Sequence, residues 1–200
     1  MARLLLLLGV AIACACASDP AKRQAVAESE SARMRPPETS LTSYGSFELL
    51  PMAMGADVAA KPEKVAVAND LGQKLDARLR PMIKNWESSA PIGTRNRTLV
   101  IKSTVTSLRV ISGGARFWGG SLSGDSFIDL DLVLIDKETG AMIASQRINR
   151  NANSMAGAWS LGSSDKNLLD YVVDIAYQYL AANRKPEAPV QGKTNGAKAP

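Results

Sequence analysis

The segment from Ser126 to Arg150 constrains the fold of this chain more than any other stretch. It reads SFIDLDLVLIDKETGAMIASQRINR, in which large aliphatic residues recur at every second position before a short polar turn. A period of two places Ile128, Leu130, Leu132 and Leu134 on one face of a strand, with the intervening aspartates on the other. The turn Asp136–Gly140 offers an aspartate to accept backbone N–H groups and a glycine able to adopt a positive φ. The segment therefore predicts a β-hairpin with one buried face.

The register of this hairpin follows from the length of its loop. If residues 137–140 form the loop, Asp136 faces Ala141, and Leu134 then faces Ile143. By the same count Leu130 faces Arg147, which leaves the far end of the buried face ragged or exposed. A slip of one residue would place the aliphatic side chains in water, so we expect the register to be well defined.

Two long helices flank the predicted strands. The segment 62–88 begins with proline, which suits the first position of a helix, and its apolar residues recur at spacings of three and four. Pro81 lies inside this pattern and is expected to kink or split the helix. A second helix is predicted over about 166–183 with a wide apolar stripe, and the charged residues of both helices, Lys74, Arg78, Asp170 and Asp174 among them, lie off the stripes.

Two further strands complete the predicted sheet. Residues 46–54 form the first, and Pro51 confines it to an edge or ends it, because proline cannot donate to a strand ladder. Residues 98–111 are rich in β-branched side chains and change phase near Thr106, which indicates a bulge or cover on both faces. The sequence thus predicts an α+β two-layer domain, with one mainly antiparallel sheet, element order β-α-β-β-β-α, and both helices on one face.

The first residues have the features of a secretory leader. Arg3 precedes an apolar run of about ten residues, too short to span a bilayer. Ala11-Ile12-Ala13-Cys14 resembles a bacterial lipobox, in which the cysteine becomes lipidated and N-terminal, although alanine stands at the position where a lipobox prefers leucine. Cys16 offers a second frame, and cleavage after Ala15-Cys16-Ala17 is the non-lipidated alternative.

These observations divide the chain into four parts. Residues 1–13 are the signal peptide, 14–43 a flexible linker, 44–184 a single α+β domain and 185–200 a disordered tail. Alanine follows Cys14, and by resemblance to enteric lipoproteins this favours a lipid anchor in the outer membrane, facing the periplasm. A soluble periplasmic or secreted protein remains the alternative.

The chemical inventory favours a non-catalytic protein. The chain contains no histidine, and its sequence has no nucleophile elbow, Walker loop or dinucleotide fingerprint, so we predict no cofactor and no metal site. The net charge of +5 is too small and too scattered for a nucleic-acid-binding surface. Asp129 and Asp131 share one strand face, where the two readings are a carboxylate-based catalytic pair and the solvated face of a strand, and we favour the second.

One loop is a candidate contact for a partner. Arg116, Phe117 and Trp118 stand between two pairs of glycines within residues 112–125. Aromatic and arginine side chains are frequent energetic centres of protein interfaces. The competing interpretation, which we favour, is that the aromatic side chains fold back and fill one end of the core.

The layout also resembles a known group of proteins. A lipoprotein leader, a long helix, a Gly-rich loop, the hairpin SFIDLDLVLIDKETGAMIAS and a terminal helix follow one another. This order is similar to that of uncharacterised bacterial lipoproteins of the domain-of-unknown-function families 3313 and 4410. The resemblance implies an envelope location and transfers no functional residue.

Three functional hypotheses follow from the sequence. The first is a lipid-anchored envelope protein that acts as a non-catalytic binding or accessory module, with another envelope protein as its partner. The second is a small-molecule binder in a cavity between sheet and helices, and the third an enzyme that uses Asp129 and Asp131. The sequence determines neither the partner nor the oligomeric state.

Overall fold

In the part of the chain that the structure describes, the fold is a mixed five-stranded sheet with four helices. The computed structural model describes residues 20–109, 126–151 and 163–184. The elements in chain order are α1 (Pro20–Ala32), β1 (Ser46–Leu49), β2 (Ala53–Met54), α2 (Ala56–Ala59), α3 (Pro62–Ser88), β3 (Thr98–Arg109), β4 (Phe127–Asp136), β5 (Met142–Asn151) and α4 (Ser163–Asn183), with short 3-10 turns at Leu41–Ser43 and Ile92–Thr94.

The strand arrangement differs from the predicted one. The strand order is β1-β3-β4-β5, and β1 and β2 both pair with β3 in parallel, whereas β3, β4 and β5 are antiparallel neighbours. The sheet is therefore mixed, and the prediction of a mainly antiparallel sheet is wrong. The predicted element order β-α-β-β-β-α is not confirmed, because α1, β2 and α2 add to it. Helix α3 carries the chain back along the sheet, so that β3 starts in the same direction as β1. Pro51 lies between β1 and β2, on the predicted edge.

The hairpin turn agrees with the sequence. The backbone N–H of Asp136 donates to the carbonyl of Ala141 at 2.9 Å, and that of Gly140 donates to the carbonyl of Asp136 at 2.8 Å. Gly140 has a φ of 70°, in the left-handed region that favours glycine. The side-chain carboxylate of Asp136 accepts the N–H of Thr139 at 3.0 Å, which closes the turn as predicted.

The predicted register of the hairpin is wrong by one residue beyond the turn. Leu134 faces Ala144 and Leu130 faces Ile148, because the pairing shifts between Leu134 and Ile135. Ile143 is the extra residue of a bulge, and both it and Ala144 are buried. The bulge brings Ile148 onto the buried face opposite Leu130. The far end of this face is therefore not ragged or exposed, as it was predicted to be. In β3, the phase change predicted near Thr106 is confirmed as a second bulge.

The core lies between one face of the sheet and the helices. The four alternating aliphatic residues of β4 are all buried, as predicted. Helix α3 packs over β1 and β3, and α4 packs over β4 and β5. Helix α3 has the predicted bounds and continues through Pro81 without splitting. The predicted stripe of α4 is buried along its whole length: Leu168, Leu169, Val172, Val173, Ala176, Tyr179 and Leu180.

Part of the predicted linker is folded. Within residues 14–43, which the sequence assigned to a flexible linker, Pro20–Ala32 form helix α1, and this helix packs against α4. Ala27 and Ser31 are its buried residues. The linker expectation fails for α1 because a helix with a narrow alanine stripe gains its stability from docking and leaves little hydrophobic signal in the sequence. The remaining predicted boundaries, 1–13 and 185–200, fall on residues outside those described.

Candidate functional site

The predicted anchor and loop residues lie outside the described part of the chain. These are Cys14, Cys16, Arg116, Phe117 and Trp118. The described residues nevertheless define where the 110–125 segment leaves and rejoins the sheet. Arg109 pairs with Phe127, and Phe127 pairs in turn with Asn151. The segments 110–125 and 152–162 therefore both depart from one row of residues at the same end of the sheet.

The two aspartates of β4 lie on the face of the sheet opposite the core. The guanidinium of Arg147 donates to the carboxylate of Asp131 through two bonds of 2.8 and 3.2 Å. The amide of Asn149 donates to Asp129. Neither aspartate lines a cavity found among the described residues. This geometry matches the solvated strand face that the sequence favoured, with cross-strand partners from β5.

The space between sheet and helices is filled in the described part of the fold. A cavity of about 30 Å³ lies there, between α3 and the gap that separates β1 from β2. Small-molecule sites usually enclose about 300–1,000 Å³. A cavity of this size accommodates about one water molecule, so the geometry does not favour the hypothesis of a sheet–helix ligand cavity.

A buried polar cluster ties the hairpin turn to the start of β1 and β3. The hydroxyl of Tyr44 donates to the carboxylate of Asp136 at 3.0 Å, and the guanidinium of Arg97 donates to the same oxygen at 2.7 Å. Arg97 also lies over the ring of Tyr44, 4.7 Å from its centre. Tyr44 and Asp136 are both buried. Because the cluster joins three segments that are distant in sequence, we assign it a structural role.

The electrostatics of this cluster follow from its contacts. The hydrogen bond from Arg97, with that from the backbone of Thr139, holds the pKa of Asp136 well below its usual range. Burial, together with the hydrogen bond to Asp136, raises the pKa of Tyr44 to about 12. Asp136 is therefore a carboxylate and Tyr44 a neutral phenol at physiological pH, and neither group is poised for proton transfer there.

A concave polar site lies where α1, α3 and α4 meet, and we call it the charged groove. Its volume is about 400 Å³. Three cationic side chains line it, Arg23 from α1 with Lys74 and Arg78 from α3, together with the carboxylates of Asp170 and Asp174 from α4.

The charges in the groove form a connected network. Arg23 donates to Asp174 at 2.6 Å and lies 3.8 Å from Asp170. Lys74 donates to Asp170 at 2.9 Å, and Arg78 lies 3.6 Å from Asp174. The two α3–α4 pairs repeat at a spacing of four residues on both helices, which shows that α3 and α4 run in the same direction here.

The sequence interpretation missed this groove. It placed Lys74, Arg78, Asp170 and Asp174 on the solvated faces of their helices, which is correct for each helix alone. Helix α1 turns the solvated seam between α3 and α4 into a concavity, and α1 was assigned to a linker. The signal for α1 was Pro20 followed by alanine, lysine, arginine, glutamine and glutamate, which are helix-favouring residues.

Neither a membrane span nor a metal-binding cluster occurs in the described ranges. Within residues 20–109, 126–151 and 163–184, no helix combines the length and apolarity that crossing a bilayer requires. The same ranges contain no group of three or more carboxylate or thiol side chains arranged to hold a metal ion.

Several solved structures align with this chain at low sequence identity and with TM-scores below 0.5. A PelC dodecamer from Paraburkholderia phytofirmans, in a form with one leucine replaced by methionine, aligns with a TM-score of 0.45 and 16% identity, covering 77% of this chain and 97% of that one. A Xanthomonas campestris protein of domain-of-unknown-function family 330 aligns with a TM-score of 0.37 and 9% identity, covering 74% of this chain and 84% of that one.

A third similar structure is a Caulobacter crescentus CB15 protein provisionally described as a lipoprotein. It aligns with a TM-score of 0.32 and 14% identity, covering 72% of this chain and 96% of that one. No family model matches the chain, so families 3313 and 4410 are not confirmed. No curated protein matches it either.

Proposed function

We propose that this chain is a lipid-anchored protein of the bacterial cell envelope that serves as a non-catalytic binding or accessory module. The observation that carries the proposal is the leader, in which a short apolar run ends at the lipobox-like Ala11–Cys14. Cleavage before Cys14 leaves five residues between the acylated cysteine and the first residue of α1. The folded domain would then stand directly on the membrane, without a long spacer.

The carboxylates of the hairpin are engaged in structural contacts. The paired aspartates of β4 are bonded to Arg147 and Asn149 on an open sheet face. The buried carboxylate of Asp136 is committed to Tyr44 and Arg97. These three carboxylates therefore have structural partners, which supports an accessory role over a carboxylate-based enzyme.

The anchor is tested by fractionating cells that express Cys14→Ala, with Cys16→Ala as the matched control. We expect wild type and Cys16→Ala in the outer-membrane fraction and Cys14→Ala in the soluble periplasmic fraction, because only Cys14 carries the acyl chains. The opposite result for the two variants would move the anchor to Cys16. Retention of both variants on the membrane, or a soluble wild type, would disprove the lipid anchor at Cys14.

The proposed partner contact is the loop 112–125, whose ends are set by Arg109 and Phe127. A photo-crosslinking residue at Trp118 is expected to capture a specific envelope protein in intact cells. The same residue at Ile92, which is 84% exposed and precedes β3 in the chain, is the control. If the aromatic side chains contact a partner, the double variant Phe117→Ala, Trp118→Ala keeps the melting temperature of the wild type. A large fall in melting temperature would show that the aromatic side chains belong to the core.

A further inference from the structure

The charged groove carries an excess of positive charge. Two guanidinium groups and one ammonium group line it with two carboxylates, and a third carboxylate, Asp70, acts on Lys74 from outside the lining. Guanidinium and ammonium groups offer five and three hydrogen-bond donors respectively, so the donors outnumber the acceptor sites that two carboxylates provide. The groove therefore retains both charge and donors for an anion.

Arg78 has more unused hydrogen-bond donors than the other two cationic side chains of the groove. Its nearest carboxylate contact, from Nε to Asp174, spans 3.6 Å, and its guanidinium lies over the ring of Tyr177 at 4.1 Å from the centre. Its terminal nitrogens have no hydrogen-bond partner among the described residues. Stacking on an aromatic ring fixes the guanidinium plane while leaving its edge open, which suits recognition of an oxyanion.

Lys74 adds a second cation at the same opening. Its hydrogen bond to Asp170 raises the pKa of the ammonium group, so it stays charged at physiological pH. The ammonium uses one of its three donors in this bond. Lys74 and Arg78 are one helical turn apart on α3 and point into the same concavity.

The groove lies at the end of the domain that the proposed anchor would hold. Pro20, the first residue of α1, lines the groove, and Cys14 is six residues before it. Six extended residues span at most about 20 Å. An acylated Cys14 would thus keep the opening of the groove close to the lipid headgroups.

We propose that the charged groove binds the phosphate group of an anionic phospholipid in the leaflet that carries the anchor. This inference rests on the proposed function, because the anchor supplies the proximity. Arg78 and Lys74 contact the phosphate oxygens, and Arg23 pairs with the two aspartates. Such binding adds an electrostatic contact to the acyl chains and orients the domain on the membrane, since basic residues near an anionic surface each contribute to attraction.

The test uses the mature chain, residues 14–200, with Cys14→Ala, so that neither the apolar leader nor an acyl chain contributes and binding depends on the protein surface alone. Partition is measured by flotation with vesicles of phosphatidylcholine, and with vesicles that also contain phosphatidylglycerol. We expect binding only to the anionic vesicles, and about a fivefold loss for Lys74→Gln or Arg78→Gln. Arg80→Gln is the matched control, because Arg80 is also on α3 and pairs with Asp76 outside the groove, and it should bind nearly as wild type does.

A variant of opposite sign separates this proposal from a general loss of structure. Asp170→Asn removes a competing carboxylate and should strengthen partition to the anionic vesicles. Equal losses for Arg78→Gln and Arg80→Gln, or weaker binding by Asp170→Asn with an unchanged circular dichroism spectrum, would overturn the proposal. If the chain binds inorganic phosphate in the groove but does not bind vesicles, the groove is assigned to a soluble phosphate ligand. That result would also overturn the lipid assignment. Because the vesicle assay uses a variant without the anchor, failure there leaves the Cys14 fractionation test unaffected.

Discussion

Replacing Tyr44 by phenylalanine tests whether the Tyr44–Asp136–Arg97 cluster stabilises the fold. The change removes one hydroxyl, which donates to the Asp136 carboxylate at 3.0 Å in a buried setting, and leaves the ring under Arg97. Hydrogen bonds to charged groups contribute about 1.5–3 kcal/mol. With a urea m value of about 2 kcal/mol/M, this predicts a fall of about 1 M in the unfolding midpoint.

Tyr179→Phe is the matched control at neutral pH. Its hydroxyl donates to the neutral carbonyl of Arg35 at 3.1 Å, and a bond of this kind contributes about 0.5–1.5 kcal/mol. Both variants keep a buried aromatic ring, so the difference between them reports on the charge of the acceptor. A loss for Tyr44→Phe no larger than that for Tyr179→Phe would refute the reasoning.

The pH dependence of the same variant provides a second check. Burial and the carboxylate of Asp136 raise the pKa of Tyr44 to about 12, above its unfolded value of about 10. A group with a raised folded pKa contributes stability that is fully present below its unfolded pKa and is lost as the pH rises through the folded one. The gap between wild type and Tyr44→Phe should therefore narrow between about pH 10 and about pH 12. A constant gap across that range would contradict the assignment.

Three further predictions concern the hairpin, each measured by urea unfolding. Asp136→Asn should destabilise the chain at neutral pH, and the difference should shrink in acid. The reason is that the pKa of Asp136 is lower in the folded chain than in the unfolded chain. Its stabilising contribution is therefore present above the ordinary carboxyl pKa and is lost as the pH falls through the folded pKa. A stability difference that grows in acid would contradict this. Gly140→Ala should lower the free energy of unfolding by about 1–2 kcal/mol, because the φ of Gly140 is 70°. Gly93→Ala is the control and should change the free energy of unfolding little, because Gly93 has open space around it and no positive φ. Equal effects of the two substitutions would exclude backbone strain as the cause. Leu132→Ala should cost about 2–5 kcal/mol, and Val133→Ala on the opposite face much less, and a reversed order would show that the buried face was misassigned.

The local elements could be predicted where one periodic pattern dominates. The aliphatic alternation of β4 and the apolar stripes of α3 and α4 report directly on which face is buried. The turn at Asp136–Gly140 could also be predicted, because its geometry requires particular residue types. These features depend on contacts between near neighbours in sequence.

The features that were missed depend on interactions between distant segments. The bulge at Ile143 allows both Ile143 and Ala144 to be buried. Counting residues outward from the turn cannot reveal this extra residue. Parallel pairing of β1 with β3 depends on how α3 returns the chain. The charged groove requires α1 beside α4, and the residues that form it look like ordinary solvated positions on each helix alone.

The most direct test of the lipid anchor is mass spectrometry of the N-terminal peptide of the protein purified from membranes. If Cys14 is the anchor, the mature chain begins at Cys14 and this residue carries the added mass of a diacylglyceryl group, with or without a further acyl chain. An unmodified chain that begins at Ser18, the residue after the Ala15-Cys16-Ala17 cleavage site, would contradict it.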